Sequence, residues 1–233
     1  KKPIKNFNKM IIVDSDKSIS IRSFLLGSIC QGISSVKNVL ESEDVFSTIN
    51  CLKKLKVKIL RTGNKSYKVF GRGLGSFNSK NVFSLNFGNS GTLARLIIGI
   101  ITSTPNINLK IHGDKSLNKR SMKSLIVLMA KFGAEFSPKN KFYFPLNISS
   151  TNYPIGISYK SGASAQLKSA VILAGLNSYG ETEIIEKFKS RDHTENMLIK
   201  NNQAIKIKKN KIKKIKVIGK QNLEKFSISV PGD

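Results

Sequence analysis

Tryptophan is absent from the 233 residues, and there are only two cysteines and two histidines. Cys30 and Cys51 fall in different helical patterns without metal-ligand spacing, so they read as reduced, partly buried thiols. His112 and His193 stand too far apart for an evident metal site, and neither metal nor cofactor is expected. Acids are scarce, 14 Asp and Glu against 40 Lys and Arg, giving a formal charge of +26. The longest apolar run, Leu96–Ile101, is far short of the roughly 20 residues that span a bilayer. The chain opens at Lys1, without the apolar stretch of a secretory signal. A membrane or secreted protein is not expected, and the cytoplasm is the expected location. With 17 glycines, 6 prolines and recurring apolar periodicity, collagen-like and disordered chains are excluded. The length fits one large domain or two small ones.

The positive charge invites a nucleic-acid reading, but the composition supplies a plainer one. Of the 40 cations 34 are lysine, beside 29 Ile, 21 Asn and only 8 Ala. Lys, Asn and Ile are residues of A/T-rich codons, and lysine fills solvated positions by default. Around Lys200–Lys220, Ile205, Ile207, Ile215 and Val217 alternate with Lys206, Lys208, Lys214 and Lys216. This pattern predicts a half-buried hairpin with a lysine face, turning near Lys209–Lys211. That stretch lacks stacking aromatics, so no nucleic-acid partner is expected. Against this background arginine is informative, because its planar fork suits phosphate and carboxylate. Arg61 and Arg72 fall in a turn-rich stretch; Arg22, Arg95, Arg120 and Arg191 fall in the motifs below.

The chain repeats itself. The segments DKSISIRSFLLGS, GNSGTLARLIIGI and GASAQLKSAVILAG each run from small polar residues into an apolar helix. Aligning Ser18, Gly91 and Ser164 at spacings of 73 also aligns Arg22, Arg95 and Lys168, and Leu25, Ile98 and Val171. Strands are expected at Ser35–Leu40, Asn108–His112 and Thr182–Phe188. Second helices carry Val45, Ile49, Leu52 and Leu55; Leu125, Ile126, Met129 and Phe132, ending at Gly133; and 190 towards 200. Closing strand pairs are expected at Val57–Leu60 with Lys68–Phe70, Ala134–Phe136 with Phe142–Phe144, and Ala204–Ile207 with Ile212–Ile218. The unit is β-α-β-α-β-β. Three units are expected to pack helices inside and sheets outside about a pseudo-threefold axis, an α/β fold. Glu41, Glu43 and Asp44 read as helix-start acids.

A helix N-terminus offers free N–H groups and partial positive charge to an anion. Three of them in register, each with a cation one turn on, and with Arg120 and Arg191 at the starts of second helices, predict a site for a ligand carrying more than one anionic group. At these residues the sequence resembles the 5-enolpyruvylshikimate-3-phosphate synthase family of enolpyruvyl transferases. The resemblance rests on Asp16-Lys17-Ser18-Ile19-Ser20 with Arg22, Leu40-Glu41-Ser42-Glu43-Asp44, and Gly88-Asn89-Ser90-Gly91-Thr92 with Arg95. It continues through Gly113-Asp114, Lys119-Arg120, Ala163-Ser164-Ala165-Gln166 with Lys168-Ser169-Ala170, and Ser190-Arg191-Asp192-His193-Thr194-Glu195.

The resemblance implies an inside-out α/β barrel and transfer of the enolpyruvyl group of phosphoenolpyruvate to the 5-hydroxyl of shikimate 3-phosphate, with release of phosphate. It implies that Lys17, Ser18, Arg22, Ser164, Ala165, Gln166, Ser190 and Arg191 bind shikimate 3-phosphate. Lys17, Asn89, Gly91, Arg120 and Gln166 bind phosphoenolpyruvate, with Lys17 and Arg120 catalytic. The complete enzyme is expected to be a monomer. Asp14 and Ser15 stand where the family has Pro-Gly, Ser121 where Pro follows the arginine, and Ile21 where His is frequent. The chain ends at Val230-Pro231-Gly232-Asp233, which resembles the family's second interdomain crossover. It therefore reads as an N-terminal half. Residues 1–14 would pack on a C-terminal domain, residues 15–229 would form the substrate domain (units about 15–86, 87–160 and 161–229), and 230–233 would begin the crossover. The half alone is expected to be inactive, since it offers no clear acid–base pair. The alternatives are a relative acting on UDP-N-acetylglucosamine, opposed by the lack of its cysteine loop, and a non-enzymatic basic nucleic-acid-binding domain.

Overall fold

A computed structural model of the protein describes residues 13–233 apart from 202 and 211. The first unit holds α1 (Lys17–Ile29), β1 (Gln31–Lys37), α2 (Glu43–Lys54), β2 (Lys58–Gly63) and β3 (Ser66–Arg72). The second holds β4 (Ser84–Asn86), α3 (Gly91–Thr102), β5 (Asn108–His112), α4 (Lys115–Asn118), α5 (Lys123–Lys131), β6 (Glu135–Ser137) and β7 (Leu146–Ser149). The third holds β8 (Ser158–Ser161), α6 (Ala165–Leu176), β9 (Glu181–Glu186), α7 (His193–Leu198), β10 (Ile205–Lys209) and β11 (Lys213–Ile218), and β12 (Ser227–Ser229) follows. Three four-stranded sheets share one order: β12-β1-β3-β2, β4-β5-β7-β6 and β8-β9-β11-β10. In each, the opening strand runs parallel to the strand after the unit's first helix. No ladder of described residues joins one sheet to another, so the expected barrel is not closed.

The opening strands shift the expected unit borders. Strand β4 precedes 87 and β8 straddles 160 and 161, while the first sheet takes its opening strand, β12, from the far end of the chain. Ser15 forms an antiparallel bridge with Gly232, and Asp16 N–H donates to Pro231 (2.8 Å), so the segments entering and leaving the domain lie side by side. Nearly all of the segment expected to pack elsewhere, 1–14, lies outside the described residues.

Helices α1, α3 and α6 are buried on almost every side, polar residues such as Ser20, Arg22, Lys168 and Ser169 included. α3 packs on both α1 and α6, and Phe24, Phe87 and Phe132 are fully buried in one continuous core. Each of the three starts on a side-chain cap: Asp16 accepts from Ile19 N–H, Ser90 from Leu93 and Ser164 from Leu167. These caps lie 74 residues apart, not 73. Two glycine contacts, one in the first unit and one in the third, lie two such steps apart. Gly71 presses against the carbonyls of Gly27 and Cys30, and Gly219 against those of Gly175 and Ser178. A β-carbon would collide with backbone at both Gly71 and Gly219.

The second helix of the second unit is split into α4 and α5, leaving Arg120 between them rather than at a helix start. The last strand of that unit is β7, not Phe142–Phe144. Pro145 has no N–H to give a ladder, and pairing begins beyond it at Leu146. The lysine hairpin forms with Ile205 opposite Val217 and Ile207 opposite Ile215, and Lys206, Lys208, Lys214 and Lys216 are exposed. Both cysteines are free and buried, and burial pushes each thiol up to about 12. Among the described residues no helix is long and apolar enough to cross a membrane.

Candidate functional site

The first turns of α1, α3 and α6 converge on a cleft of about 330 Å³ lined by Lys17, Glu43, Asp44, Asn89, Gly91, Thr92, Arg95, Arg120 and Gln166. Gln166, in the first turn of α6, links two helices: its carbonyl accepts from Arg95 (2.8 Å) and its amide donates to Thr92 Oγ1 (2.9 Å). Arg120 reaches over from the loop before α5 and donates to Asn89 Oδ1 (2.8 Å). Gly91 makes room for both guanidinium groups. A β-carbon there would lie 2.8 Å from one nitrogen of Arg95 and 3.4 Å from one of Arg120. Burial pulls Arg95 below its ordinary value, and repulsion from Arg120 adds to the fall. Lys17 sits at the mouth, half exposed and paired with Asp44 at 3.0 Å. Glu43 and Asp44 occupy the first turn of α2, but Glu41 lies outside it, bound to Arg61 (3.0 Å) and to the Tyr67 hydroxyl.

A second cation group adjoins the first through the same helix starts. Arg22 is buried, and its guanidinium donates to Ser18 Oγ (2.6 Å), Ser18 O (3.1 Å), Thr194 Oγ1 (2.9 Å) and Ser169 Oγ (3.2 Å). Thr194 in turn donates to Ser169 (2.8 Å), so α1, α6 and α7 hold the fork jointly. Burial brings Arg22 down to about 10; Asp16 and Glu195 oppose this, and repulsion from Arg191 adds to it. Arg95 faces Arg120, and Arg22 feels Arg191. Among the described residues none of these four arginines makes a salt bridge.

Lys168 is not a third cation at the helix starts. It is fully buried, bridging Glu186 and Glu195 at 2.7 Å each, and Lys213 meets the same two acids at 3.1 Å. The cap positions explain this. Arg22 stands six residues after its cap, Arg95 five and Lys168 four. Each one-residue slip turns a side chain by about 100° around the helix, so the third cation points into the domain. Burial would raise Glu186, but hydrogen bonds from Lys168, Ser190 and Lys213, with the Lys168 charge, outweigh it and hold the carboxyl down at about 2.

Of the residues singled out in the sequence, Lys17, Asn89, Gly91, Arg120 and Gln166 line one cleft. Ser18 and Arg22 bond to each other beside it. Ser164 is the α6 cap and Ala165 the first residue of that helix. Ser190 and Arg191 lie in the segment between β9 and α7, Ser190 bonded to Glu186 and Arg191 exposed. Arg95 was expected as the cation one turn into its helix but given no ligand, Thr92, Ser169 and Thr194 stood only as members of the motifs, and Glu186 was not among them. Nothing in the sequence separates Glu186 from an ordinary strand residue. Larger hollows lie between α2 and β4 (about 560 Å³) and along the lysine hairpin (about 820 Å³). Neither collects helix starts.

Comparison with known proteins bears on the whole chain. The family model of EPSP synthase (3-phosphoshikimate 1-carboxyvinyltransferase) matches residues 1–233. A 3-phosphoshikimate 1-carboxyvinyltransferase of Paramagnetospirillum magneticum is 38% identical over 95% of this chain and 50% of its own length. One of Ruthia magnifica is 40% identical over 100% of this chain and 52% of its own. Among solved structures, EPSP synthase from Acinetobacter baumannii superposes with a TM-score of 0.86 at 33% identity, covering 96% of this chain and 49% of that one. The chain spans about half the length of the relatives it matches.

Proposed function

Because this chain belongs to the EPSP synthase family, we propose that it forms the N-terminal half of an enzyme that transfers the enolpyruvyl group of phosphoenolpyruvate to the 5-hydroxyl of shikimate 3-phosphate and releases phosphate. The observation that carries this reading is the pairing of like charges. Arg95 and Arg120 both crowd Gly91 and repel each other with no acid bridged to either, and beside them Arg22 is buried on hydroxyl and carbonyl partners with no acid bridged to it. Guanidinium groups left without a bridged acid suit the counter-charge of a ligand, and two such groups of cations side by side suit two phosphorylated substrates.

In this reading Arg22, Ser18, Ser164, Ala165, Gln166, Ser190 and Arg191 hold shikimate 3-phosphate. The α6 start presents N–H groups to its phosphate. Arg120, Asn89, Gly91 and Gln166 hold phosphoenolpyruvate, with Arg95 behind them, and Lys17 stands where the two ligands meet. Addition requires a proton at the methylene carbon of phosphoenolpyruvate and loss of one from the attacking hydroxyl; elimination of phosphate reverses both. The cleft's carboxylates are poorly suited to this, since Asp44 is tied to Lys17. Proton transfer is therefore assigned to a C-terminal half, reached through the paired segments at 14–16 and 231–233.

Two substitutions in the full-length enzyme separate the ligand sites. Arg22→Ala should weaken shikimate 3-phosphate binding roughly tenfold to hundredfold by calorimetry, the value of a charge-assisted contact. Gly91→Ala pushes on Arg95 and Arg120 and should raise the KM for phosphoenolpyruvate about tenfold, with shikimate 3-phosphate affinity little changed. Equal effects of both substitutions on both ligands would contradict the assignment.

A further inference from the structure

The buried Lys168–Glu186–Glu195–Lys213 cluster does more than balance charge. Both lysines reach both acids, so two cations are already matched by two anions. The acids are nevertheless used differently. Glu195 keeps to the cluster, and among the described residues its Oε2 has no partner. Glu186, the last residue of β9, reaches outwards. Its Oε1 accepts from Ser190 N–H (3.0 Å) and from the Ser190 hydroxyl (2.8 Å), besides Lys168 (2.7 Å). Between Glu186 and Ser190 the chain is exposed at Lys187, Phe188 and Lys189. Ser190 is thus the point where an exposed segment is tied to a largely buried charge network, and Arg191 follows it directly.

We propose that Glu186 is a positioning residue for shikimate 3-phosphate, acting through Ser190. This rests on the reading that Ser190 and Arg191 hold that ligand. Glu186 fixes the Ser190 amide and points its hydroxyl inwards. When the phosphate arrives, the hydroxyl hydrogen turns from the carboxylate to a phosphate oxygen, while the amide bond keeps the segment in place. Glu186 loses little in the exchange, because Lys168 and Lys213 remain on it. The segment is ordered before binding, and the entropy of ordering it does not subtract from affinity.

The test is a double-substitution cycle in the full-length enzyme, with shikimate 3-phosphate affinity measured by calorimetry and Tm recorded for every variant. S190A and E186A should each weaken binding about tenfold, and the double variant should be no weaker than S190A, because both act through one contact. K213M strikes the same cluster without touching Ser190, so it should lower Tm while affinity stays within about twofold. If E186A fails to fold, E186A/K213M leaves the Lys168–Glu195 pair neutral and takes its place, read against K213M. Additive losses in the double variant, or a folded E186A with unchanged affinity, overturn the proposal. Unchanged affinity in S190A overturns the assignment of Ser190 itself, and Glu186's role with it.

Discussion

Lys168→Ala is expected to destabilise the domain by about 3–5 kcal/mol, the cost of breaking a buried ion pair from one side. For a domain of this size that lowers Tm by roughly 6–20 °C. Lys168 is fully buried and touches both carboxylates at 2.7 Å, whereas Lys213 is partly exposed and stands farther off. Removing Lys168 leaves Glu186 and Glu195 facing each other in the interior with one cation between them. The interior does not require charge as such, so removing both signs together should cost much less. Lys168→Met combined with Glu195→Leu is expected to recover most of the loss. Thermal unfolding followed by circular dichroism reads both outcomes, and a shift below about 2 °C in the alanine variant would show that water reaches the cluster.

Residues 1–233 produced alone should give no detectable phosphate release from phosphoenolpyruvate, with or without shikimate 3-phosphate. The cleft has cations, helix starts and amides to bind and orient anions, but its carboxylates are engaged with cations or with helix α2. Positioned proton transfer is typically worth about 10²–10⁴-fold, and an open cleft leaves its ligands in water rather than in a closed, low-dielectric site. Turnover is expected when a C-terminal half is supplied in the same chain, and it should then collapse on Lys17→Ala or Arg120→Ala. Turnover by the isolated chain would overturn the half-site reading and turn the search for an acid–base group to His193, since Glu195 is buried between Lys168 and Lys213.

The triplication, the capped helix starts and five residues of the cleft were legible because each leaves a local mark: a small polar cap, an apolar run, a rare arginine among lysines. The true register was not. Matching Arg22, Arg95 and Lys168 by charge favours a 73-residue step, while the caps and the glycines packed under the helix ends require 74. Charge is a poor guide to register, since a lysine turned inward and matched by two acids reads the same in sequence as a solvated one. The acids that match Lys168 lie 18 and 27 residues away on other elements, and their partnership is a product of folding alone. The missing opening strand of the first unit was hidden for a similar reason: its place is filled from the other end of the chain.

That last strand sets an order of events during synthesis. Strand β1 pairs with β12, and Asn38 bonds to Val230 at a separation of 192 residues. At about 5–20 residues per second, β1 would wait roughly 10–40 s after leaving the ribosome for its parallel neighbour. Through that interval one edge of the first sheet stays open while the two later sheets, whose opening strands lie close by in sequence, can already close. An unpaired edge invites pairing with a neighbouring nascent chain. The first sheet begun is thus the last to be sealed, and it is the part of this domain most exposed to misassembly on polysomes.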